Sequence, residues 1–459
     1  MEHTRADTAT VRRGLEGLAE FLADTTEVLA GVEQHAALVI LDTLGVILAG
    51  SQEPEVGRLV RRISTLGADG PATVFARGFR RTDAPAAAFL NGTAGTFLEL
   101  DEGHRPTGHP GIHVVPAALA LGEALGRSGR RVLRAVVLGY EVAARLSASC
   151  RLRRGIHPHG TLGTVGAAAA CGTLLSFDAK MLAELLHASA ALALASPMQA
   201  CLEGATIRNS YAGVGAQLGI QAALMVESGF TGLADGLGET FGRLIGEDFE
   251  PTALLDGLGE RYEITRNYFK FHACCAYNHP ALDAVMAILA ERAVDPAAVE
   301  RIEVRTIAPF AGIDQKHPRT QLAAKFSIPY AVAAALCYGT TGAEAFRPAT
   351  VQDPRVHDLA ERVTVVADPE FTQRWPRETP TEVSIHLRGG TRRSAVCTNP
   401  RGYYANPGGR EDVEGKFRSL TAEIFPAGRV DEAHAAIRAI GDVPRLSRLT
   451  DRLRELGGA

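Results

Sequence analysis

The sequence predicts a mainly α-helical protein, in which a large all-helical domain is interrupted by a smaller α+β domain. Runs of apolar residues at helical spacing fill the first 265 residues, and alternating, strand-like patterns begin after that point. From Asn406 to the end the pattern is helical again. With 459 residues, the chain is long enough for two or more domains and a large core. We therefore expect a helical segment at 1–265, an α+β domain at 266–398 and a returning helical segment at 399–459.

The helical prediction for the first part depends on four segments that repeat apolar residues at helical spacing, at 36–48, 114–125, 132–148 and 164–175. Alanine and glycine dominate this part of the chain. Small residues on so many faces predict helices that pack closely on one another. The segments rich in Gly, Pro and His between these helices are predicted to be loops at the rim of the helical scaffold.

The second part mixes strands and helices. Segments 300–307, 362–366 and 382–387 alternate apolar and polar residues, as half-buried strands do. Segment 325–338 is rich in alanine and predicts a helix between the first two strands. Because the tail from Asn406 is helical, we expect it to pack back on the first part, which makes the α+β domain an insertion.

Composition and charge exclude several classes of protein. The chain has 48 basic and 52 acidic residues, a net charge of −4, with 46% hydrophobic and 22% charged residues. These values are those of a globular protein, and a nucleic-acid binder would normally have a basic domain. The first thirty residues mix charged with apolar positions, and the longest apolar runs fall short of the ~18 residues that a membrane span requires. Seven scattered cysteines fit a reducing compartment. We expect a cytoplasmic protein with no nucleic-acid or membrane partner.

Common catalytic signatures are absent from the sequence. It has no phosphate-binding Gly-x-x-x-x-Gly-Lys loop, no His-Glu-x-x-His, no Cys-x-x-Cys and no Gly-x-Ser-x-Gly. The glycines of segment 213–219 miss the dinucleotide-binding spacing, and helix packing explains them better. The adjacent Cys274 and Cys275 cannot alone assemble a metal site. We therefore predict neither a metal nor a cofactor.

Polar residues occur in three places where the surroundings are otherwise apolar or rich in glycine. In the first, the acidic segment 99–102 precedes His104, His109 and His113. Carboxylates next to a loop histidine supply a base and a group that sets its tautomer, as proton transfer requires. The alternative is a helix end capped by solvated acids, with His104 and His113 only filling space. His109 is the strongest catalytic candidate.

The second place is His157-Pro158-His159-Gly160, directly before a long helix. Free backbone N–H groups at a helix N-terminus favour a bound carboxylate. Alternatively, Pro158 fixes the entry turn, and His159 or Thr161 caps the helix.

The third place joins Arg208 to Lys270, both cations in sparsely charged surroundings. Such cations often bind carboxylates or stabilise an enediolate. The alternative is a buried salt bridge to Glu203 or Glu263. Taken alone, these residues indicate an enzyme or binder for small polyanionic acids.

A series of short motifs resembles the MmgE/PrpD family, in the family's order, from about residue 15 to about residue 450. They are Leu-Asp-Thr-Leu-Gly at 41–45, the acidic segment with its histidine at 99–104, Gly-His-Pro at 108–110, Val-Pro-Ala-Ala-Leu-Ala at 115–120, Gly-Tyr-Glu at 139–141, Lys-Phe-Ser-Ile-Pro-Tyr at 325–330 and Asn-Pro-Gly at 406–408. The resemblance implies a large all-helical domain, a smaller α+β lid domain, a homodimer and metal-independent chemistry on di- and tricarboxylates. Members of that family dehydrate 2-methylcitrate, decarboxylate cis-aconitate or epimerise iminodisuccinate.

The same resemblance implies roles for nine residues. The implied catalytic residues are His109, Glu99, Asp101 and His157, and the implied substrate-binding residues are Arg208, Lys270, Tyr330, His159 and Cys275. The chain also departs from the family pattern at five positions, with Glu99 for aspartate, Gly103 for threonine, Arg208 for lysine, His272 for proline, and Cys275 where the decarboxylase has histidine.

The expected chemistry is proton transfer by His109 at the carbon α to a carboxylate, with Glu99 or Asp101 orienting the ring and the cations stabilising the resulting charge. Loss of a hydroxyl would make a dehydratase, loss of carbon dioxide a decarboxylase, and return of the proton to the opposite face an epimerase. We favour a lyase, because dehydration is the commoner chemistry in the family. A polycarboxylate-binding protein and a homologue without catalysis stay open as alternatives.

Overall fold

The computed structural model describes residues 8–66, 69–76, 78–426 and 428–458. The helices of the first part pack on one another and make up most of it. They are α1 (Thr8–Asp24), α2 (Ala30–Gly50), α3 (Pro54–Leu66), α4 (Ala84–Thr96), α5 (Pro110–Ala124), α6 (Gly129–Ser149), α7 (Leu162–Leu175), α8 (Ala179–Ala190), α9 (Gln199–Glu203) and α10 (Tyr211–Glu227). Four short strands form two antiparallel pairs, β1 (Ala72–Thr73) with β2 (Arg81–Thr82), and β3 (Cys150–Leu152) with β4 (Gly246–Phe249). The four helical segments predicted from periodicity are confirmed.

Glycines allow these helices to approach closely, as the sequence predicts. A Cβ at Gly139 in α6 would lie 2.5 Å from the carbonyl oxygen of Gly166 in α7. A Cβ at Gly213 in α10 would lie 2.2 Å from the carbonyl oxygen of Phe89 in α4. Both distances are far shorter than a van der Waals contact, so only glycine fits at these crossings. The glycines of segment 213–219 therefore serve helix packing.

The second part is built around a four-stranded sheet. Its elements are α11 (His279–Glu291), β5 (Val299–Thr306), α12 (Ala308–Ala311), α13 (Gln321–Lys325), α14 (Ile328–Tyr338), α15 (Pro348–Val351), α16 (Pro354–Ala360), β6 (Val363–Ala367), α17 (Pro369–Gln373), β7 (Thr381–Leu387) and β8 (Arg392–Cys397). The strand order is β6-β5-β7-β8, with β5 and β6 parallel and the other pairs antiparallel. The three predicted strands are confirmed.

Segment 325–338 is not one helix, as predicted, but the end of α13 followed by α14. The helix is interrupted between them because Ser327 is the N-cap of α14. Its hydroxyl accepts a hydrogen bond from the backbone N–H of Tyr330 (3.0 Å). Pro329 follows in the first turn of α14, where a missing N–H costs nothing.

The tail is helical, as predicted, with α18 (Arg410–Thr421), α19 (Val430–Arg438) and α20 (Ser447–Leu456). One hydrophobic core contains buried residues from 11–269 and 413–456, and a second contains residues 273–385 together with Val46, Leu98 and Leu100. The tail therefore packs with the first part of the chain. The domain boundaries at 265 and 398 stay predictions.

Helix α2 is long and apolar enough to cross a membrane by length and composition, although Glu33 and Asp42 interrupt it, so that no uncharged run within it reaches 18 residues. Of its most apolar window, 78% is buried inside the protein. A core helix of a soluble protein passes the same test, because burial in protein and burial in lipid both require an apolar surface.

Candidate active site

A cavity of about 920 Å³ lies where the helical part meets the α+β part. Its wall draws on segments 99–109, 147–158 and 198–208 of the helical part. Segment 268–277, segment 308–313 and the side chains of Phe326, Trp375 and Tyr403 complete it. Six of the nine predicted site residues line this cavity, namely Glu99, His109, His157, Arg208, Lys270 and Cys275.

The acidic segment enters the cavity after the end of α4, where two lysines hold its backbone. Lys325 Nζ donates to the carbonyl of Phe97 (2.7 Å), and Lys416 Nζ donates to the carbonyl of Leu100 (2.7 Å). Between these two points Glu99 has a φ of 56°, in the left-handed region that non-glycine residues rarely adopt. Such a conformation persists where the surrounding contacts enforce it, and here it accompanies a buried carboxylate between two cations.

His109 lies at the start of α5, and its Nδ1 faces two oxygen atoms. Asp101 Oδ2 is 2.8 Å away, and the carbonyl oxygen of Glu102 is 2.9 Å away. Because both oxygens are acceptors, we assign the proton to Nδ1, which leaves Nε2 to exchange a proton with a ligand. Of Glu99 and Asp101, the two acids that the sequence left open as orienting groups, Asp101 is the one beside His109 Nδ1. Burial opposes ionisation of Asp101, but the Lys270 ammonium and the His109 ring hold the pKa of that carboxyl well below its usual range.

Three further histidines surround this pair. His159 Nε2 lies 3.2 Å from Asp101 Oδ2, and the backbone N–H of His159 donates to His157 Nδ1 (3.0 Å). His113 Nδ1 donates to the carbonyl of His109 (2.8 Å), and His113 Nε2 accepts from the backbone N–H of Gly160 (2.9 Å). His113 therefore ties the start of α5 to the 157–160 loop.

These three rings are neutral at pH 7. Burial is the main cause in each, and it lowers the pKa of His113 to about 4. Burial and the Arg208 charge together hold the pKa values of His157 and His159 well below their usual range. Added positive charge is thus disfavoured on His113, His157 and His159, whereas His109 Nδ1 lies beside the ionised Asp101.

The two predicted cations are already paired with the two acids. Arg208 Nη1 contacts Glu99 Oε1, and Lys270 Nζ lies 3.3 Å from Asp101 Oδ1 and 3.5 Å from Glu99 Oε2. Burial opposes their charges, yet the neighbouring carboxylates raise the pKa values of both Arg208 and Lys270 above the ordinary ones. The structure thus replaces the alternative of a salt bridge from Arg208 to Glu203 or Glu263 with one to Glu99.

Glu102, the next acid of the segment, turns away from the cavity. Its Oε1 accepts from the backbone N–H of Gly111 (2.5 Å), and its Oε2 accepts from the hydroxyl of Tyr140 (2.8 Å). Burial raises the pKa of Glu102 to about 8. His104 lines the cavity, but its Nε2 is taken up by Glu263, whose Oε2 lies 3.1 Å away. These two residues support the backbone of the site.

Eight of the nine predicted residues come together, and Tyr330 does not. Its hydroxyl donates to the carbonyl of Ala345 (2.9 Å), and its ring is fully buried in the second core, away from the cavity wall. The expectation that Tyr330 assists at the site is therefore wrong for this structure, because its polar atom is satisfied elsewhere. Cys275 lines the cavity, and burial raises the pKa of its thiol to about 12, so that it is a neutral group there.

Three residues that line the cavity were not singled out as site residues from the sequence. Arg105, Trp375 and Tyr403 lie in separate segments and meet at the cavity wall. Arg105 lies between His104 and Pro106 in a predicted loop, which was the one available signal. Trp375 and Tyr403 come from segments without any catalytic pattern.

Asp101, His109 and His159 offer one ligand atom each within 4.8 Å of one another, as a metal site would. Two contacts favour a proton on His109 Nδ1 over a metal ion bound to that nitrogen. His109 Nδ1 faces the Glu102 carbonyl as well as Asp101, as an N–H donor does. The Lys270 ammonium also lies 3.3 Å from the other oxygen of Asp101, where it would repel a divalent cation.

Comparisons with known proteins cover nearly the whole chain. The sequence pattern of the MmgE/PrpD N-terminal domain matches residues 16–244, and that of the MmgE/PrpD C-terminal domain matches residues 272–441. The cis-aconitate decarboxylase of Mus musculus is 26% identical over 449 residues, which cover 92% of this chain and 89% of that protein. The cis-aconitate decarboxylase of Homo sapiens is 26% identical over 448 residues, which cover 92% of this chain and 90% of that protein.

Proposed function

Because this chain belongs to the MmgE/PrpD family, we propose that it is a metal-independent lyase that removes carbon dioxide from cis-aconitate or a similar unsaturated tricarboxylate. Two relatives of 26% identity along almost the full length are cis-aconitate decarboxylases, which favours decarboxylation over the dehydration that the sequence alone favoured. An epimerase of an amino- or imino-dicarboxylate is the alternative within the family.

The observation that supports this proposal best is the pairing of His109 with Asp101 in a cavity that also contains two buried cations. With Nδ1 engaged by Asp101, protonation of the ring places the second proton on Nε2. That proton can then be delivered to a carbon atom of the bound substrate. The ionised Asp101 stabilises the imidazolium that this role requires.

The bond changes follow from the substrate class. The carbon–carboxylate bond breaks, its electron pair forms a new double bond, and the original double bond shifts its electrons to the carbon α to another carboxylate. His109 gives its proton to that carbon, and carbon dioxide leaves. Negative charge develops on the enediolate before protonation, and we expect Arg208 and Lys270 to stabilise it in a buried, low-dielectric place.

The test is proton NMR of the purified protein with 2-methylcitrate, citrate, cis-aconitate and iminodisuccinate in deuterium oxide with a chelator present. We expect loss of the cis-aconitate vinyl signal, a new terminal methylene signal and one deuterium in the product. Loss of water from a citrate would identify a dehydratase, and deuterium exchange without a change of skeleton an epimerase. No reaction with any of the four would contradict the proposal.

A His109→Ala variant provides the control for that assay. We expect it to lose turnover by at least about 100-fold, because proton transfer by a positioned side chain contributes that much. Circular dichroism should show an unchanged fold. Normal turnover by this variant would assign the proton transfer to another group.

We also propose that the protein acts in the cytoplasm as a homodimer. Four large apolar side chains between residues 207 and 244 are more than half exposed in the single chain, namely Ile207, Phe230, Leu233 and Leu244. A contiguous exposed apolar patch marks a protein–protein interaction site, and we propose that these side chains form such a patch between two copies of the chain. Light scattering on the eluted protein tests this, and a monomeric mass would contradict it.

A further inference from the structure

Arg105 lies in the loop between Gly103 and His109, and its guanidinium is held by aromatic rings. Its Cζ is 4.5 Å from the ring centre of Tyr403 and 4.8 Å from that of Trp375. These two ring contacts hold the guanidinium at the cavity wall. The side chain is half-buried and lines the cavity.

Arg105 differs from Arg208 and Lys270, the two buried cations of the cavity, in having no acid beside it. Within the described ranges, no carboxylate oxygen lies within 4.0 Å of its guanidinium. Its polar contacts are with hydroxyl groups, those of Thr379 (3.5 Å) and Tyr403. Arg208 and Lys270, by contrast, share the charges of Glu99 and Asp101. Of these three cations, Arg105 is thus the one whose charge no carboxylate of the described residues neutralises.

The basic residues of the nearby 151–154 segment do not offer an equivalent group. Arg151 pairs with Glu247 (3.5 Å), and Arg153 donates to the carbonyls of Leu244 (3.0 Å) and Arg243 (2.9 Å). Arg154 is exposed to solvent. Water weakens an exposed ion pair, whereas a half-buried guanidinium keeps most of its strength.

Two tyrosines connect Arg105 to the proposed catalytic histidine. The Tyr268 ring meets the His109 ring edge to face at 6.2 Å, and it stacks on the Tyr403 ring at 4.5 Å with an angle of 6°. Tyr403 is also the ring under Arg105. His109 and Arg105 therefore lie on one continuous stretch of cavity wall, along which a ligand with several carboxylates can extend.

We propose that Arg105 binds a carboxylate of the substrate remote from the carbon atom that His109 protonates, and so selects polycarboxylates over acids with one carboxylate. This inference rests on the proposed function, since it names how the same cavity recognises its substrate. The planar guanidinium can form two parallel hydrogen bonds with one carboxylate.

The experiment measures binding of tricarballylate, a saturated tricarboxylate without the double bond that decarboxylation requires, by isothermal titration calorimetry. Arg105→Gln should weaken binding about 10- to 100-fold, since a charge-assisted pair is lost. Arg105→Lys keeps the charge but not the paired donors, so its affinity for tricarballylate should lie between those of the unmodified protein and Arg105→Gln. In turnover assays KM should rise in Arg105→Gln while kcat changes less than about threefold, because Arg105 does not touch the reacting carbon.

Arg266→Gln is the matched control, because it also removes one charge and one ring contact, with Tyr404 (5.0 Å), but lies outside the cavity wall. We expect its Kd within about twofold of that of the unmodified protein. Equal binding by Arg105→Gln and the unmodified protein would overturn this inference but not the proposed function. Equal weakening by Arg105→Gln and Arg266→Gln would do the same. If the unmodified protein neither binds tricarballylate nor turns over any member of the panel, the proposed function fails, and this inference fails with it. If Arg105→Gln does not fold, unweakened binding by Arg105→Lys overturns the inference.

Discussion

Tyr268 occupies the space that a side chain at Gly103 would fill. A Cβ at position 103 would lie 2.3 Å from both Cζ and Oη of Tyr268. The two residues also exchange backbone hydrogen bonds, from Gly103 N to Tyr268 O (3.0 Å) and from Tyr268 N to Gly103 O (2.7 Å). The MmgE/PrpD pattern has a threonine at position 103, so the hydroxyl group at this point of the cavity is here that of Tyr268, beside the ring of His109.

From this relationship we predict that Gly103→Thr lowers kcat/KM by about 10- to 100-fold, because the new side chain displaces the Tyr268 ring from the wall of the site. Gly103→Thr combined with Tyr268→Ala removes the contact with the Tyr268 ring and returns a hydroxyl, but leaves the Cβ 2.9 Å from the carbonyl oxygen of Gly108, so it should recover only part of the loss. Steady-state kinetics of the two single variants and the double variant measure this coupling. Losses that simply add would show that the two positions act independently.

Asp101 and Glu102 are adjacent acids with different predicted effects on turnover. Asp101→Asn removes the negative charge 2.8 Å from His109 Nδ1 and should lower kcat by roughly 10²- to 10⁴-fold. Glu102→Gln alters a carboxyl that faces Gly111 and Tyr140, and it should keep kcat within about threefold. The pair is compared at saturating substrate, after circular dichroism has shown the fold of each variant. Similar losses in both would mean that Asp101 acts only through the fold.

The sequence predicted the parts of the site in which the residues that meet lie close together in the chain. His109 precedes a proline that starts α5, and Asp101 follows the end of α4, so a contact between them could be predicted from residue type and position. The pairing of Arg208 with Glu99 joins residues 109 positions apart, and the hydrogen bond of Tyr330 to Ala345 depends on how the second core packs. Such contacts are set by tertiary structure, which short-range patterns do not encode.

The same distinction applies to the fold. Alternation predicted β5, β6 and β7, whose inward residues face the second core. Strand β8 reads Arg-Arg-Ser-Ala-Val-Cys and alternates exposed with half-buried positions at the edge of the sheet. No position of β8 is buried, so its apolar pattern is weak and the strand could not be predicted from alternation.

Glu102 also gives a prediction on stability and pH. Burial raises its pKa in the folded state to about 8, compared with 4.5 for the free side chain. Below pH 4.5 the carboxyl is protonated in both the folded and the unfolded state. Between pH 4.5 and 8 the folded state retains a proton that the unfolded state releases, so this group lowers the free energy of unfolding as the pH rises through that window.

Glu102→Gln removes this pH-dependent fall in the free energy of unfolding, because an amide does not ionise. Between pH 5 and pH 8 the free energy of unfolding of the variant should therefore fall less than that of the unmodified protein, by a difference of about 3 kcal/mol. Urea unfolding at both pH values measures it. Glu141, whose pKa burial raises to about 7, contributes a similar slope to both proteins and cancels in the comparison. Parallel pH dependences would show that Glu102 is ionised in the folded protein.

Chelation tests the remaining prediction, that the Asp101, His109 and His159 cluster works without a metal. A metal on His109 Nδ1 would replace the proton that this nitrogen shares with Asp101 and with the carbonyl of Glu102. It would also lie beside the Lys270 ammonium, which is 3.3 Å from Asp101. We therefore expect turnover to stay within about twofold after dialysis against EDTA, and elemental analysis to find less than about 0.1 metal per chain. Loss of turnover that a divalent cation restores would mean that the three residues hold a metal, and that His109 is a ligand instead of the proton donor.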